Sequence, residues 1–168
     1  MKTHISCLSR KVLLLIPIML WMSAPAAHAQ GPEGKSFGFG IVLGTLDGAS
    51  VKIWTASDQA FIVDFGGSWF GPLRLEGDYD WHFNPFHSTI VKMYAGPGLA
   101  LAFGNGDEQY FGEDHTSSVG VGVRVMFGVN IIPHSAPLEI YLGVGPLIGL
   151  VPAIGAGVDA EVGIRFYP

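Results

Sequence analysis

The stretch LRLEGDYDWHF, residues 73–83, decides the fold because its two faces differ in chemistry at nearly every step. One face carries apolar and aromatic side chains, namely Leu73, Leu75, Tyr79, Trp81 and Phe83. The other face carries charged or ionisable side chains, namely Arg74, Glu76, Asp78, Asp80 and His82. Successive side chains of a β-strand point to opposite faces, so this period of two predicts a strand. Which face is buried stays open at this point, since a soluble barrel would bury the apolar face and a membrane barrel the charged one.

Seven further stretches of the chain repeat this alternation. The eight predicted strands cover about residues 37–43, 49–55, 60–70, 73–83, 89–103, 119–129, 138–148 and 158–167. No helical pattern separates them, and turn-forming pairs such as Asp47-Gly48 and Gly71-Pro72 connect them. The sequence therefore predicts an all-β fold, an antiparallel up-and-down meander closed as an eight-stranded barrel.

Two regions depart from plain alternation. Pro97 and Pro146 lie inside predicted strands, and because proline lacks a ladder donor, a bulge or local break is expected at Pro97, with the same problem at Pro146. The longest polar segment, GNGDEQYFGEDHT at residues 104–116, has the composition of a loop.

The N-terminal residues have the pattern of a secretory signal peptide. Lys2, Arg10 and Lys11 accompany a short apolar run at residues 13–20, and AHA at residues 27–29 matches a small-residue cleavage site. The apolar run is too short to span a bilayer comfortably. The prediction is a signal peptide at 1–29, a flexible lead at 30–36 and a barrel domain at 37–168. The single cysteine, Cys7, falls within the signal peptide, so the mature chain has none.

Composition narrows the function further. Cleavage removes three of the nine basic residues and none of the 14 acidic ones, which leaves a net charge of −8 and argues against nucleic acid as a partner. No apolar run of the length of a transmembrane helix follows the signal peptide. The mean hydropathy is nevertheless positive, +0.39, and a membrane β-barrel is the ordinary way to be apolar without such a helix.

Charges recur on only one face of the predicted strands. They are Lys52, Asp64, Arg74, Glu76, Asp78, Asp80, Lys92, Arg124, Glu139, Asp159, Glu161 and Arg165. Eleven glycines share this face, namely Gly38, Gly40, Gly66, Gly96, Gly98, Gly120, Gly122, Gly128, Gly143, Gly145 and Gly163. Glycine only weakens a water-facing strand, whereas inside a narrow barrel it makes room for large neighbours such as Arg124, Tyr94 and Tyr141. The charged face is therefore predicted to be the interior and the apolar face to meet lipid, which makes the barrel transmembrane.

These interior charges are expected to pair as a lumen charge network, because an unpaired buried charge is strongly destabilising. Arg74, Arg124 and Arg165 are the expected hubs, since a guanidinium can bridge two carboxylates. Such a network would close the lumen to solutes, so an open pore is not expected. Asp78, Asp80 and His82 would also suit an acid/base or metal site, but membership of the network is the favoured interpretation.

If both termini lie in the periplasm, four connections face outward: 44–48, 68–72, 104–116 and 151–155. The longest falls on the outer side, as is usual for such barrels. Its candidate contact residues for an unknown extracellular partner are Asp107, Glu108, Tyr110, Glu113, Asp114 and His115. Their spacing matches no calcium-binding loop, so no metal, cofactor or catalytic site is predicted.

Five stretches of the chain together resemble a known family: GIVLGTLDGASVKIW, LRLEGDYDWHF, GVGVRVMFGV, APLEIYLGVGP and GIRFY. They are similar to small bacterial outer-membrane β-barrels related in design to the OmpA/OmpX transmembrane domain, and the resemblance covers nearly all of the mature chain. It implies a Gram-negative cell-envelope protein that contacts outer-membrane lipid and the barrel assembly machinery and has no settled activity; a monomer is expected. One departure is the ending, Phe166-Tyr167-Pro168, where such barrels commonly end in phenylalanine.

Three function classes remain open. The leading one is a structural or surface-interaction protein of the outer membrane. The second is a lipid A-modifying enzyme, because some eight-stranded outer-membrane barrels catalyse such reactions with a Ser and a His. The candidate pairs here are His87-Ser88 and His134-Ser135. Both pairs lie in predicted periplasmic turns, and neither has an obvious third catalytic partner. The third is a soluble periplasmic barrel that binds an apolar ligand.

Overall fold

The structure, a computed structural model, describes residues 31–68, 71–104, 108–110, 113–115, 119–133 and 135–168, and for 71–72, 108–110 and 113–115 the backbone alone. The predicted signal peptide at 1–29 lies outside the described residues and stays a prediction. Within the described ranges, no helix is both long and apolar enough to cross a membrane.

The described part of the chain contains ten β-strands. They are β1 (Phe37–Gly44), β2 (Leu46–Trp54), β3 (Gln59–Ser68), β4 (Gly71–Phe83), β5 (Val91–Phe103), β6 (Glu108–Tyr110), β7 (Glu113–His115), β8 (Val119–Ile131), β9 (Leu138–Val151) and β10 (Gly155–Phe166). All except β6 and β7 form one closed antiparallel barrel in which β1 pairs with β10. The predicted eight-stranded all-β fold is confirmed. The segment predicted as a loop contains the small β6–β7 hairpin, where Gln109 pairs with Asp114.

Side chains alternate between the two faces of the wall as the sequence pattern predicts. Along β9, Glu139 and Tyr141 are buried, whereas Ile140 and Leu142 are 44% and 62% exposed. Arg124 on β8 is only 2% exposed. The charged face therefore lies inside the barrel and the apolar face outside, which is the reverse of a water-soluble barrel.

Glycines on the inner face make room for large aromatic side chains. A Cβ atom at Gly128 or Gly143 would collide with the Tyr94 side chain, and one at Gly163 would collide with Tyr141. Gly128 and Gly163 lie on strands next to the tyrosines, and Gly143 lies two strands away from Tyr94. The interior is therefore filled by a small number of large side chains set against bare backbone, as expected for a narrow barrel.

Gly128→Leu is expected to lower the stability of the folded barrel by about 1–3 kcal/mol, because the new side chain must displace the Tyr94 ring. The matched control is Gly77→Leu, since Gly77 faces outward and the nearest side-chain atom to its Cβ position, from Phe61, is 3.8 Å away. Urea unfolding in detergent, followed by the heat-modifiable gel mobility of the folded barrel, measures both variants. Equal losses would contradict the assignment of the two faces.

Pro97 and Pro146 each interrupt strand pairing locally without changing the register of the strands. Pairing of β5 with β4 stops at Pro97, while its pairing with β8 continues through that residue. Pairing of β9 with β8 stops at Pro146 in the same way. The register is the same beyond each gap, so Pro97 produces the expected local break and not a bulge. An outer-surface depression of about 470 Å³ lies beside both prolines and Gly77, which leaves space for the leucine of the control variant.

The described part of the N-terminal lead rests against the end of the barrel where the termini meet. Pro32–Gly34 forms a single 3-10 turn in which Pro32 is buried. The Lys35 ammonium donates to the Pro168 carbonyl at 2.7 Å, and the Trp54 amide donates to the Ser36 carbonyl at 2.8 Å. The last residues of β1, β3, β5 and β9 therefore lie at the opposite end of the barrel, as the strand count predicts.

Candidate functional site: the charged interior of the barrel

Eleven of the twelve residues of the predicted lumen charge network are buried inside the barrel. They are Lys52, Asp64, Arg74, Glu76, Asp78, Asp80, Arg124, Glu139, Asp159, Glu161 and Arg165. The twelfth, Lys92, is half-buried, and its ammonium lies 5.7 Å from the centre of a Trp54 ring. Strand alternation alone brings these side chains together, because each occupies an inward position of its strand.

Arg124 contacts four carboxylates of the interior. Its Nε donates to Asp78 Oδ1 at 2.9 Å, and its Nη2 also contacts Asp78. Its Nη1 donates to Glu76 Oε2 at 2.6 Å and to Asp159 Oδ2 at 3.2 Å, and Glu161 lies 3.8 Å from Nη2. One guanidinium of β8 thus links to carboxylates of β4 and β10 across the lumen.

Arg74 extends this group on the side of β4. Its Nη2 donates to both oxygens of Asp159, at 3.2 and 3.0 Å, and it forms an ion pair with Glu76. Glu76 and Asp159 are therefore each shared by two arginines. We call Arg74, Glu76, Asp78, Arg124, Asp159 and Glu161 the Arg124 cluster.

A second group, the Lys52 cluster, consists of Lys52, His82, Glu139, Arg165 and Tyr167. The Lys52 ammonium lies 2.6 Å from Glu139 Oε1 and 2.9 Å from His82 Nε2. The Tyr167 hydroxyl donates to Glu139, and Arg165 Nη1 is 3.5 Å from the same carboxylate. The Glu139 carboxylate of β9 is therefore contacted by side chains from β2, from β10 and from the residue that follows β10.

Tyr167 follows the last residue of β10 and points into the lumen. Burial, with the Glu139 carboxylate beside it, raises the pKa of the Tyr167 hydroxyl above its usual value. The hydroxyl therefore stays protonated and remains a donor to Glu139, while it accepts a hydrogen bond from Trp54 Nε1 at 3.1 Å.

Arg165, one residue before the end of β10, extends between the Lys52 cluster and Asp64. Its guanidinium is stacked 3.6 Å from the centre of the Tyr141 ring, and its Nε donates to Ser50 Oγ at 2.8 Å. Its Nη2 is 4.0 Å from Asp64. Each of the three expected hub arginines thus lies near at least two carboxylates.

Several interior residues were not anticipated as members of the site. Ser50 and Asn130 are completely buried, and Asn130 donates to Glu139 Oε1 at 3.2 Å. Each occupies an inward position of its strand, but a single serine or asparagine in a strand does not by itself identify a residue of the site from the sequence. Strand register is the one feature of the sequence that could have identified them.

The remaining sequence candidates lie elsewhere. Asp107 and the side chains of Glu108, Tyr110, Glu113, Asp114 and His115 lie outside the described residues. His134 does as well. Ser88 follows His87 in the turn between β4 and β5, and its hydroxyl accepts from the Val91 amide at 3.0 Å, which is the role of a turn residue.

The sequence has little similarity to known proteins. No family model and no curated protein matches the sequence. Among solved structures, the crystal structure of Neisserial surface protein A is similar, at 16% sequence identity and a TM-score of 0.46, over 79% of this chain and 93% of that chain.

Proposed function

We propose that this chain is an integral outer-membrane β-barrel with a closed, charge-filled lumen, and that it acts as a structural or surface-interaction protein. The observation that carries the proposal is the continuous apolar outer surface. Every barrel strand exposes large apolar side chains, for example Ile41, Ile53, Phe65, Trp81, Leu99, Phe127, Leu142 and Val162. A surface in water rarely exposes more than a few hundred Å² of contiguous apolar area, whereas a membrane barrel requires an apolar band around its whole circumference.

Aromatic side chains at the terminal end of the barrel support membrane insertion. Phe37, Phe39, Trp81, Phe83 and Phe166 are all between 42% and 48% exposed, and the rings of Phe39 and Phe166 are 6.0 Å apart. Aromatic girdles of this kind lie at the interfaces of a bilayer. Trp69 and Phe70, the two residues between β3 and β4 in the sequence, lie outside the described residues.

The filled interior argues for a structural or surface role over transport. The Arg124 cluster and the Lys52 cluster cross the lumen between opposing strands, and an eight-stranded barrel has room only for its own side chains. The proposed partners are outer-membrane lipid, the barrel assembly machinery and, at the loop 104–116, an unknown extracellular partner. The barrel is proposed to be a monomer.

Cysteine labelling tests both insertion and orientation, since the mature chain has no cysteine of its own. Ile154→Cys, at a position 81% exposed in the connection between β9 and β10, should react with a membrane-impermeant maleimide on intact cells. Ser57→Cys, exposed in the turn between β2 and β3, should react only after the outer membrane is broken. Protection of both positions together with recovery from the soluble periplasmic fraction would refute the proposal.

A further inference from the structure

The buried charges inside the barrel do not balance. The buried basic side chains are Lys52, Arg74, Arg124 and Arg165. The buried carboxylates are Asp64, Glu76, Asp78, Asp80, Glu139, Asp159 and Glu161. Even with half-buried Lys92 counted, seven acidic groups face five basic ones in the described interior. Two uncompensated negative charges in a closed lumen are strongly destabilising unless a cation or protons neutralise them.

Three of the carboxylates converge on one point. Asp64 of β3, Glu76 of β4 and Glu161 of β10 each place one oxygen within 4.8 Å of the other two. Calcium binds oxygen at about 2.3–2.6 Å, so oxygens separated by up to about twice that distance can share one ion. Three ionised carboxylates at this separation would otherwise repel one another.

Asp64 provides an independent indication of a missing partner. It is completely buried, and neither of its oxygens makes a hydrogen bond of good geometry with the residues that the structure describes. The nearest guanidinium nitrogen, on Arg165, is 4.0 Å away. The hydroxyl of Ser50, the cross-strand neighbour of Asp64, accepts from that arginine and keeps one proton to donate, but a single neutral donor does not compensate a buried carboxylate. Glu161 is weakly held too, since the Tyr94 hydroxyl is 3.5 Å from one of its oxygens.

We propose that Asp64, Glu76 and Glu161 bind a divalent cation of the calcium class inside the barrel. The donor set is made of oxygen atoms alone, which suits calcium over softer transition metals. Arg124 keeps its contacts with Asp78 and Asp159, and Glu76 would share its two oxygens between the ion and the guanidinium groups of Arg74 and Arg124. The ion would connect β3 to β10, which are not neighbours in the barrel, and would neutralise the excess charge at the point where it is concentrated.

The test is to refold the complete mature chain in detergent with calcium, because a closed lumen should load during folding, and then to remove free ion by gel filtration. Elemental analysis should find about one calcium per wild-type chain. Asp64→Asn and Glu161→Gln should each weaken calcium binding at least about tenfold. Mutating a residue that only hydrogen-bonds to a metal ligand already causes a loss of this size. Asp80→Asn is the matched control, since Asp80 is equally buried but stands outside the three converging carboxylates.

Terbium in place of calcium gives a second measurement that does not require the variants to fold. Tyr94 lies beside Glu161, so excitation of the aromatic residues should sensitise bound terbium, and added calcium should quench the emission by competition. Wild-type protein without bound calcium or sensitised terbium would overturn the proposal and would indicate that protons neutralise the carboxylates. Equal loss of binding in Asp80→Asn and Asp64→Asn would also overturn it, because the ion would then be held by general negative potential.

Discussion

Arg124→Met is expected to destabilise the folded barrel by about 3–5 kcal/mol, the range for removing one partner of a buried ion pair. Methionine keeps an unbranched side chain in the lumen but removes the charge that Asp78, Glu76 and Asp159 share. Asp78 loses its bidentate partner, and the buried negative charge that is already in excess grows by one. The free energy of unfolding, from urea titration of the barrel in detergent or lipid vesicles, measures the loss.

The matched control is Val125→Met, at the next position of the same strand, where the side chain faces outward and is 40% exposed. It should change the stability by less than about 1 kcal/mol, because it repacks against lipid or detergent. Adding Asp78→Asn to Arg124→Met should recover part of the loss, since it removes one uncompensated charge. Similar effects of Arg124→Met and Val125→Met would contradict the role of the Arg124 cluster in holding the barrel together.

Most of the fold follows from two features of the sequence. The period of two in residues 73–83 and its repeats predicts the strands, because side-chain direction in a strand depends on position alone. The coincidence of glycines with charges identifies the inner face: Gly128 and Gly163 are glycine because Tyr94 and Tyr141 occupy the space in front of them. Strand ends agree within a few residues, since they depend on local turn chemistry.

The details of the interior could not be predicted in the same way. Arg124 and Asp78 are 46 residues apart and meet because of the stagger of the closed barrel, which no local pattern specifies. For the same reason, the convergence of Asp64, Glu76 and Glu161 became visible only in three dimensions, and the sequence predicted no metal site. The sequence does not predict the β6–β7 hairpin, because its residues have the composition of a loop. Its strands are also too short to produce a clear alternating pattern.

Val144→Arg is expected to destabilise the barrel in lipid vesicles by about 2–4 kcal/mol, the cost of an arginine on the lipid face near the bilayer midplane. Val144 is 51% exposed and lies near the middle of β9, so its side chain has acyl chains around it if the proposed insertion is right. Ile154→Arg is the control, because this position is 81% exposed beyond the end of the same strand. Near the interface the same change should cost only about 0–1 kcal/mol.

The difference between these two arginine variants decides between a membrane barrel and a soluble one. In a soluble barrel both positions would face water, and arginine would replace an exposed apolar side chain at little cost in either place. In a membrane barrel the cost of an arginine depends on its depth in the bilayer, because the guanidinium at position 144 must extend to the headgroup region or draw water into the hydrocarbon core. Equal and small effects in vesicles would therefore refute membrane insertion, whereas a penalty of about 2–4 kcal/mol confined to Val144→Arg exceeds the roughly 1 kcal/mol that strand propensity and cross-strand packing contribute and is the result expected from lipid around the barrel.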